Sequence, residues 1–262
     1  MTPGSMLLSD KIVVLVGGAG LLGQSFARAT SAQGAVTVVA DLDGIRAAQA
    51  CERIGQLAPA GRVLPEAVDI TSKDSLQALI ARLKERFGRI DAIVNNAYPR
   101  NKQYGRKLED VEYADFCENV NLHLGGYFLS TQQFAEFFKR QGHGHVVNIS
   151  SIYGNVAPRF EIYDNTPMTM PVEYAAIKSA LKHLSVYFMR YYKGTELRFN
   201  CISPGGILDG QPEPFTTAYR HYSQSKGMLS PDDIAGSLVF LLSDLSRYIN
   251  GQNIIVDDGW SS

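Results

Sequence analysis

One stretch near the start restricts the fold more than any other. Lys11-Ile12-Val13-Val14-Leu15-Val16 is a short run rich in β-branched residues that ends abruptly in Gly17-Gly18-Ala19-Gly20-Leu21-Leu22-Gly23. Helical periodicity takes over through Phe26-Ala27-Arg28-Ala29, so the segment reads as strand, glycine turn, helix. Glycines let the backbone bend tightly and approach a pyrophosphate, whose charge is favoured at a helix N-terminus. A second strand, Ala35 to Ala40, follows the helix and ends at Asp41, which is the context that gives a glycine turn of this kind its meaning.

Asp41 stands where an acidic side chain accepts hydrogen bonds from adenosine ribose hydroxyls. A phosphate there is repelled, and neither the glycine turn nor Leu42 supplies a cation to offset the repulsion. NAD is therefore preferred over NADP, with Arg46 the one nearby residue that works against the preference.

The alternation continues through Arg62 to Val68, a helix from Ser72 to Phe87, and Ile90 to Val94 running into Asn95-Asn96-Ala97. Strands alternating with helices predict a parallel sheet covered on both sides, a doubly wound, Rossmann-like α/β fold with ligands at the C-terminal strand ends. Asp69 and Asn96 fall at such ends. The chain has no repeats and no clear linker, and 262 residues suit one large core, so a single domain over 1–262 is expected. Apolar content of 45% and charged content of 19% are those of a soluble globular protein. A net charge of −1 gives no reason to expect nucleic acid or an acidic membrane surface as partner. No apolar run approaches a membrane span, and residues 1–10 lack the features of a signal peptide, which points to the cytoplasm. Cys51, Cys117 and Cys201 are far apart and without metal spacing, so no metal is expected and they read as small apolar residues in a reducing compartment.

Further on, Tyr174 and Lys178 are four residues apart at the start of a helix-favouring run, on one helix face. A free phenol, with a pKa of about 10, is a poor base at neutral pH unless a nearby cation stabilises the phenolate. Lys178 is placed to do so.

With Gly17 to Gly23, Asp41, Asp69, Asn95-Asn96-Ala97, Ser150-Ser151, Tyr174 to Lys178 and Asn200 to Gly205 in this order, the chain resembles the short-subunit branch of the short-chain dehydrogenase/reductase family. The resemblance covers nearly the whole chain, including Ile249 to Asp257, which is similar to the family's last strand. Asn95 to Arg100 is similar to members linked to flagellin glycan and nonulosonic sugar synthesis. The resemblance implies that Tyr174 is the acid/base, that Lys178 lowers its pKa and binds the nicotinamide ribose, and that Ser151 hydrogen-bonds the substrate oxygen. It implies cofactor contacts at Gly17, Gly20, Leu21, Leu22, Gly23, Asp41, Asp69, Ile70, Asn96, Ala97, Tyr174, Lys178, Pro204, Gly205 and Ile207. At the fourth catalytic position, normally an asparagine that holds a relay water, a count without gaps reaches His123. Asn119 and Asn121 lie close by and serve instead if the helix is shifted.

Several positions depart from the family pattern. Val16 replaces a threonine and Leu21 a glycine, so the glycine turn partly resembles the longer sugar-nucleotide branch. Tyr98 and Asp258 replace glycines, and Asp209 stands near a usual threonine. Between Ser151 and Tyr174 the chain is longer than family members usually are, and this segment, about 155–172, is expected to shape substrate choice. A loop over about 98–108 carries Arg100, Lys102, Arg106 and Lys107, which would attract an anionic substrate. A third segment, about 206–230, is a candidate lid.

The reading that emerges is an NAD-dependent oxidoreductase that interconverts a secondary alcohol and a ketone on a small molecule, a sugar or anionic sugar derivative. A sugar-nucleotide epimerase or dehydratase with bound NAD and a non-catalytic NAD sensor are the rivals. Aromatic helices around Phe134 to Phe138 and Tyr187 to Tyr192, with the resemblance, imply a homodimer or homotetramer.

Overall fold

The inner runs Ile12–Val16 and Ala92–Asn95 are buried on both faces, which is what a parallel sheet between two helix layers demands, while the edge runs Arg62–Ala67 and Asn253–Val256 are only partly covered. The computed structural model describes residues 6–58 and 61–262. Its strands are β1 (Ile12–Val16), β2 (Val36–Asp41), β3 (Arg62–Ala67), β4 (Ala92–Asn95), β5 (His143–Ile149), β6 (Glu196–Pro204) and β7 (Asn253–Val256). They form one seven-stranded sheet in the order β3-β2-β1-β4-β5-β6-β7, every pairing parallel. The helices are α1 (Leu21–Ala32), α2 (Gly44–Leu57), α3 (Lys73–Phe87), α4 (Tyr113–Val120), α5 (Gly126–Gln141), α6 (Val172–Tyr191), α7 (Glu213–His221) and α8 (Pro231–Leu242). This is the single doubly wound α/β domain the alternation predicts.

The strand period of two divides the core. Val14, Val16, Ile93, Val146 and Phe199 face one layer, closed by Leu76 and Leu79 of α3, Phe134 and Phe138 of α5 and Ile177 of α6. Val13, Leu15, Val94, Val147 and Ile202 face the other, closed by Phe26 of α1, Ala47 of α2 and Ile234 and Leu238 of α8. A third, aromatic cluster lies off the sheet and joins Tyr153, Tyr163, Phe215, Tyr219 and Trp260.

A buried polar strap fixes α5 and α6 against the strand ends. Asn95 donates to Asn148 at 2.8 Å and to Thr131 at 3.2 Å and accepts from Ser130 at 2.7 Å. Asn148 in turn donates to Ser185 of α6 at 2.9 Å. Because every amide is partnered, the strap specifies one docking of the helix that carries Tyr174 and Lys178.

Strand order reverses between β1 and β4, and that switch point opens a crevice at their C-terminal ends. Among the described residues no helix is long and apolar enough to cross a membrane, and no group of three His, Cys, Asp or Glu side chains is arranged to hold a metal. Cys201 is buried as expected of a small apolar residue, but Cys117 is exposed on α4 and Cys51 is intermediate.

Candidate active site

The crevice begins at the glycine turn. Gly17 has φ +71°, and a Cβ there would lie 2.6 Å from the Ala97 nitrogen; one on Gly23 would be driven into the Gly17 carbonyl oxygen. Asn96 braces the turn, donating its side-chain amide to the Gly17 carbonyl at 3.1 Å and its backbone N–H to Val16 at 3.0 Å. Gly20 caps α1 without a side chain, and no acidic residue occupies that first turn. By contrast α2 and α3 are capped by Asp43 and Ser72. The first-turn N–H groups of α1 are thus left for an external anion, a donor set that fits a dinucleotide's pyrophosphate.

The remaining predicted cofactor residues ring the same edge. Asp41 ends β2, intermediate in exposure, and among the described residues Arg46 makes no ion pair with it. Asp69 follows β3 but turns one carboxylate oxygen back to Thr71, accepting its N–H at 2.8 Å and its hydroxyl at 2.6 Å. The Ile70 side chain is buried beneath Gly126, where an added Cβ would lie 2.7 Å from it. Pro204 and Gly205 are buried at the end of β6, with the Gly205 N–H donating to Val256 at 2.8 Å. Ile207 bridges to Leu229.

Facing that edge, α6 presents Tyr174 and Lys178 one turn apart. Lys178 is 5% exposed, donates from Nζ to the Ile149 carbonyl at 2.8 Å, and lies 5.5 Å from the Tyr174 ring centre. Burial pulls its ammonium down to about 7. Burial pushes the Tyr174 hydroxyl up, and the influence of the Ser151 hydroxyl opposes that. Ser151 is buried just beyond β5 and accepts the Tyr153 N–H at 3.2 Å. Its neighbour Ser150 instead donates to the Lys178 carbonyl at 2.7 Å, a structural peg that leaves Ser151 as the hydroxyl beside Tyr174.

Between α4 and α5 the backbone takes a π-helical turn, Asn121–Gly125. The widened turn shifts the helical register and turns His123 inward: it is 1% exposed, with its ring 5.1 Å from Tyr127 and 5.3 Å from Tyr98. Burial first, then the charge of Lys178, holds its pKa well below the usual imidazole range, so the ring is neutral. Its Nε2 has no partner among the described residues. Asn119 is occupied, accepting the Asn101 N–H at 2.9 Å and donating to Glu173 at 3.0 Å, and Asn121 is exposed.

Two pairs of tyrosines wall the centre. Tyr98, at the position of a family glycine, sets its ring edge-on to Tyr174 at 5.6 Å and hydrogen-bonds Tyr104 through the hydroxyls. Arg100 lies 4.8 Å over the Tyr98 ring. Of the other cations in that loop, Arg106 is taken up by Asp115 at 3.2 Å and by Gln103, while Lys102 and Lys107 are exposed. In the second pair, which belongs to the aromatic cluster that Tyr174 also packs against, Tyr163 donates to the Tyr153 hydroxyl at 3.1 Å and packs on Phe215 of α7 at 5.1 Å. The Gly206 N–H donates to the Tyr219 hydroxyl at 2.7 Å. The segment before Tyr174, α7 and the chain end are therefore packed on one another. Asp258 explains how a non-glycine residue sits at φ +56°: its carboxylate accepts the N–H groups of Ser225, Lys226 and Gly227 and the Ser225 hydroxyl. Those bonds hold its pKa down at about 2.

Sequence reasoning missed Tyr104, Tyr153, Tyr163, Glu173 and Trp260. The position of Tyr153, two residues after Ser151, and the uniqueness of the tryptophan were the only local signals.

Comparison with known proteins finds relatives over nearly the whole chain. A family model described as enoyl-(acyl carrier protein) reductase matches residues 18–261. The chain is 38% identical over 255 residues to post-translational flagellin modification protein A of Campylobacter coli, covering 97% of this chain and 99% of that protein. It is 27% identical over 259 residues to the 3-oxoacyl-[acyl-carrier-protein] reductase of Thermotoga maritima, covering 97% and 99%. Its fold superposes on a crystal structure of a short chain dehydrogenase from Leptospira borgpetersenii with bound NAD+, with a TM-score of 0.85, 27% identity and coverage of 100% and 97%.

Proposed function

The chain belongs to the short-chain dehydrogenase/reductase family of oxidoreductases, and from that premise we propose that it is an NAD-dependent enzyme of the cytoplasm that interconverts a secondary alcohol and a ketone on a sugar derivative. The observation that carries the reading is the meeting of Ser151, Tyr174 and Lys178 beside the uncapped start of α1.

The cofactor's nicotinamide supplies or accepts the hydride. Everything else falls to side chains of this chain. Ser151 donates to the substrate oxygen and holds it beside Tyr174. In the oxidative direction the Tyr174 phenolate takes the hydroxyl proton, and in the reductive direction the phenol returns it. Lys178, brought near neutrality by burial, is able to release a proton as Tyr174 gains one and to take it back. Its ammonium form stabilises the phenolate. His123, neutral and with Nε2 unpartnered, serves the relay from Lys178 outward. With the cofactor bound, Gly17, Gly20, Leu21, Leu22 and Gly23 would hold its pyrophosphate, with Asn96 and Ala97 beside them. Asp41 would read the ribose hydroxyls, Asp69 with Ile70 would border the adenine, and Pro204, Gly205 and Ile207 would border the nicotinamide.

The substrate reading rests on the tyrosine walls, whose faces suit the C–H surface of a sugar ring and whose hydroxyls suit its own. Arg100, stacked on Tyr98 without a carboxylate partner among the described residues, supports an anionic substituent. The likeness to a flagellin modification protein supports a role in making a group destined for flagellin. The apolar groove lined by Phe128, Leu184 and Tyr187 between α5 and α6 supports pairing with a second copy of the chain.

The test is NADH formation across sugar phosphates, acidic sugars, nucleotide sugars and neutral polyols. Tyr174→Phe should bind NAD normally and lose at least about a hundredfold in turnover. NAD binding with no turnover in either direction on any alcohol or ketone would overturn the reading.

A further inference from the structure

Arg159 lies in the segment before Tyr174 and is the least explained cation near the site. Its guanidinium rests 4.3 Å over the Tyr222 ring and 5.3 Å over the Trp260 ring. It is only partly exposed, yet none of the ion pairs among the described residues includes it. No hydrogen bond among them engages its five N–H donors either. Arg198 shows how this fold treats an arginine with a purely structural task, satisfying it with the carbonyls of Leu241, Ser246 and Ile249 and the Ser246 hydroxyl.

The surroundings add donors and remove acceptors. Trp260 is 1% exposed and its Nε1–H is buried without a partner among the described residues, an arrangement that is costly if left so. Tyr153, whose ring meets Trp260 at 5.6 Å, already accepts from Tyr163 and so keeps its own proton to donate. The acidic groups nearby make no ion pair with Arg159 among the described residues. Glu161 accepts the Tyr222 hydroxyl at 3.1 Å through one oxygen, Asp258 is filled by residues 225–227, and Asp257 accepts from Gly259 and Ser261. A fork of charged donors, an indole N–H and a phenol without acceptors calls for an oxyanion.

We propose that Arg159, on its shelf of Tyr222 and Trp260, is an oxyanion subsite, separate from Arg100, that takes a carboxylate or phosphoryl group of the substrate. The assignment rests on the oxidoreductase reading only in calling that ligand part of the substrate. Tyr153 joins the subsite to the reacting centre, since it follows Ser151 by two residues and Tyr174 packs against the aromatic cluster that holds Tyr153 and Trp260.

Trp260 is the only tryptophan in the chain, so its fluorescence reports the subsite without turnover. The NAD-loaded protein is titrated with inorganic phosphate and, separately, with D-gluconate, at ionic strength held constant with sodium chloride. A saturable change is expected with at least one probe, and which one distinguishes phosphoryl from carboxylate. Arg159→Gln should weaken it about tenfold or more, with Arg159→Lys intermediate and Arg100→Gln without effect. Tyr174→Phe should leave the titration unchanged, so failure of the chemistry and failure of the subsite are told apart. No response in the wild type to either probe, or equal saturation in Arg159→Gln with an intact thermal midpoint, overturns the proposal. Should Arg159→Gln fail to fold, an Arg159→Lys titration identical to that of the wild type does the same.

Discussion

Replacing Lys178 by methionine should change how stability depends on pH in a way that only a buried ammonium can produce. In the folded protein burial holds this group at about 7, whereas in the unfolded chain it returns to about 10.4. A lysine with a lowered folded pKa costs stability wherever the unfolded chain is the better proton binder. The cost is full below about pH 7, roughly 5 kcal/mol, and it fades as pH rises toward the unfolded value. Between pH 6 and pH 9 the wild type should therefore gain about 3 kcal/mol from this one residue. Lys178→Met keeps the volume, removes the charge and removes that slope. It also leaves the Ile149 carbonyl without its donor, an offset of about 1–3 kcal/mol that is nearly independent of pH. The assay is urea denaturation of cofactor-free wild type and variant at both pH values. The stability of the variant relative to the wild type should fall by about 3 kcal/mol from pH 6 to pH 9. If the gap is the same at both values, Lys178 is not desolvated as described, and the account of its exchange with Tyr174 goes with it.

Three further outcomes follow from the packing. Gly144→Ala would drive a Cβ into the Phe138 ring and should cost about 1–3 kcal/mol or more by overpacking, read as a lower thermal midpoint with turnover per folded molecule retained; an unchanged midpoint would contradict the packing of α5 on β5. Asp41→Asn should narrow the preference for NAD over NADP by about tenfold, measured as the two dissociation constants by calorimetry, because a repulsive charge is removed; an unchanged ratio would mean that another residue reads the ribose. His123→Ala should lower turnover by about 10–100-fold and shift its pH profile, while Asn121→Ala leaves both unchanged; the reverse result assigns the relay to the asparagine.

What the chain reveals on reading, and what it hides, follows the range of the forces involved. Strand, glycine turn and helix at residues 11–29 are legible because each is set by neighbours within a few positions, and Tyr174 with Lys178 because one helical turn brings them to one face. Ser151 is separable from Ser150 in the structure because Ser150 spends its hydroxyl on the Lys178 carbonyl. His123 is reached by counting alone, and only the π turn at Asn121–Gly125 accounts for its facing inward. The basic loop shows the opposite case. Four cations in one loop suggest a single anion site, but Arg106 meets Asp115 at the start of α4 and Arg100 alone stacks against Tyr98.

The aromatic cluster is hidden for the same reason. Tyr153, Tyr163, Phe215, Tyr219 and Trp260 come from three segments spread over more than a hundred positions, with no periodicity to announce them. Their meeting has a consequence for motion. The segment at about 206–230 reads in the sequence as a candidate lid, yet α7 is packed on the segment before Tyr174 through Phe215 and Tyr163, and Asp258 ties residues 225–227 to the chain end. Any opening over the site must then move these pieces as one body. Arg159, touching both α7's end and Trp260, is where a charged substrate would be felt by all three.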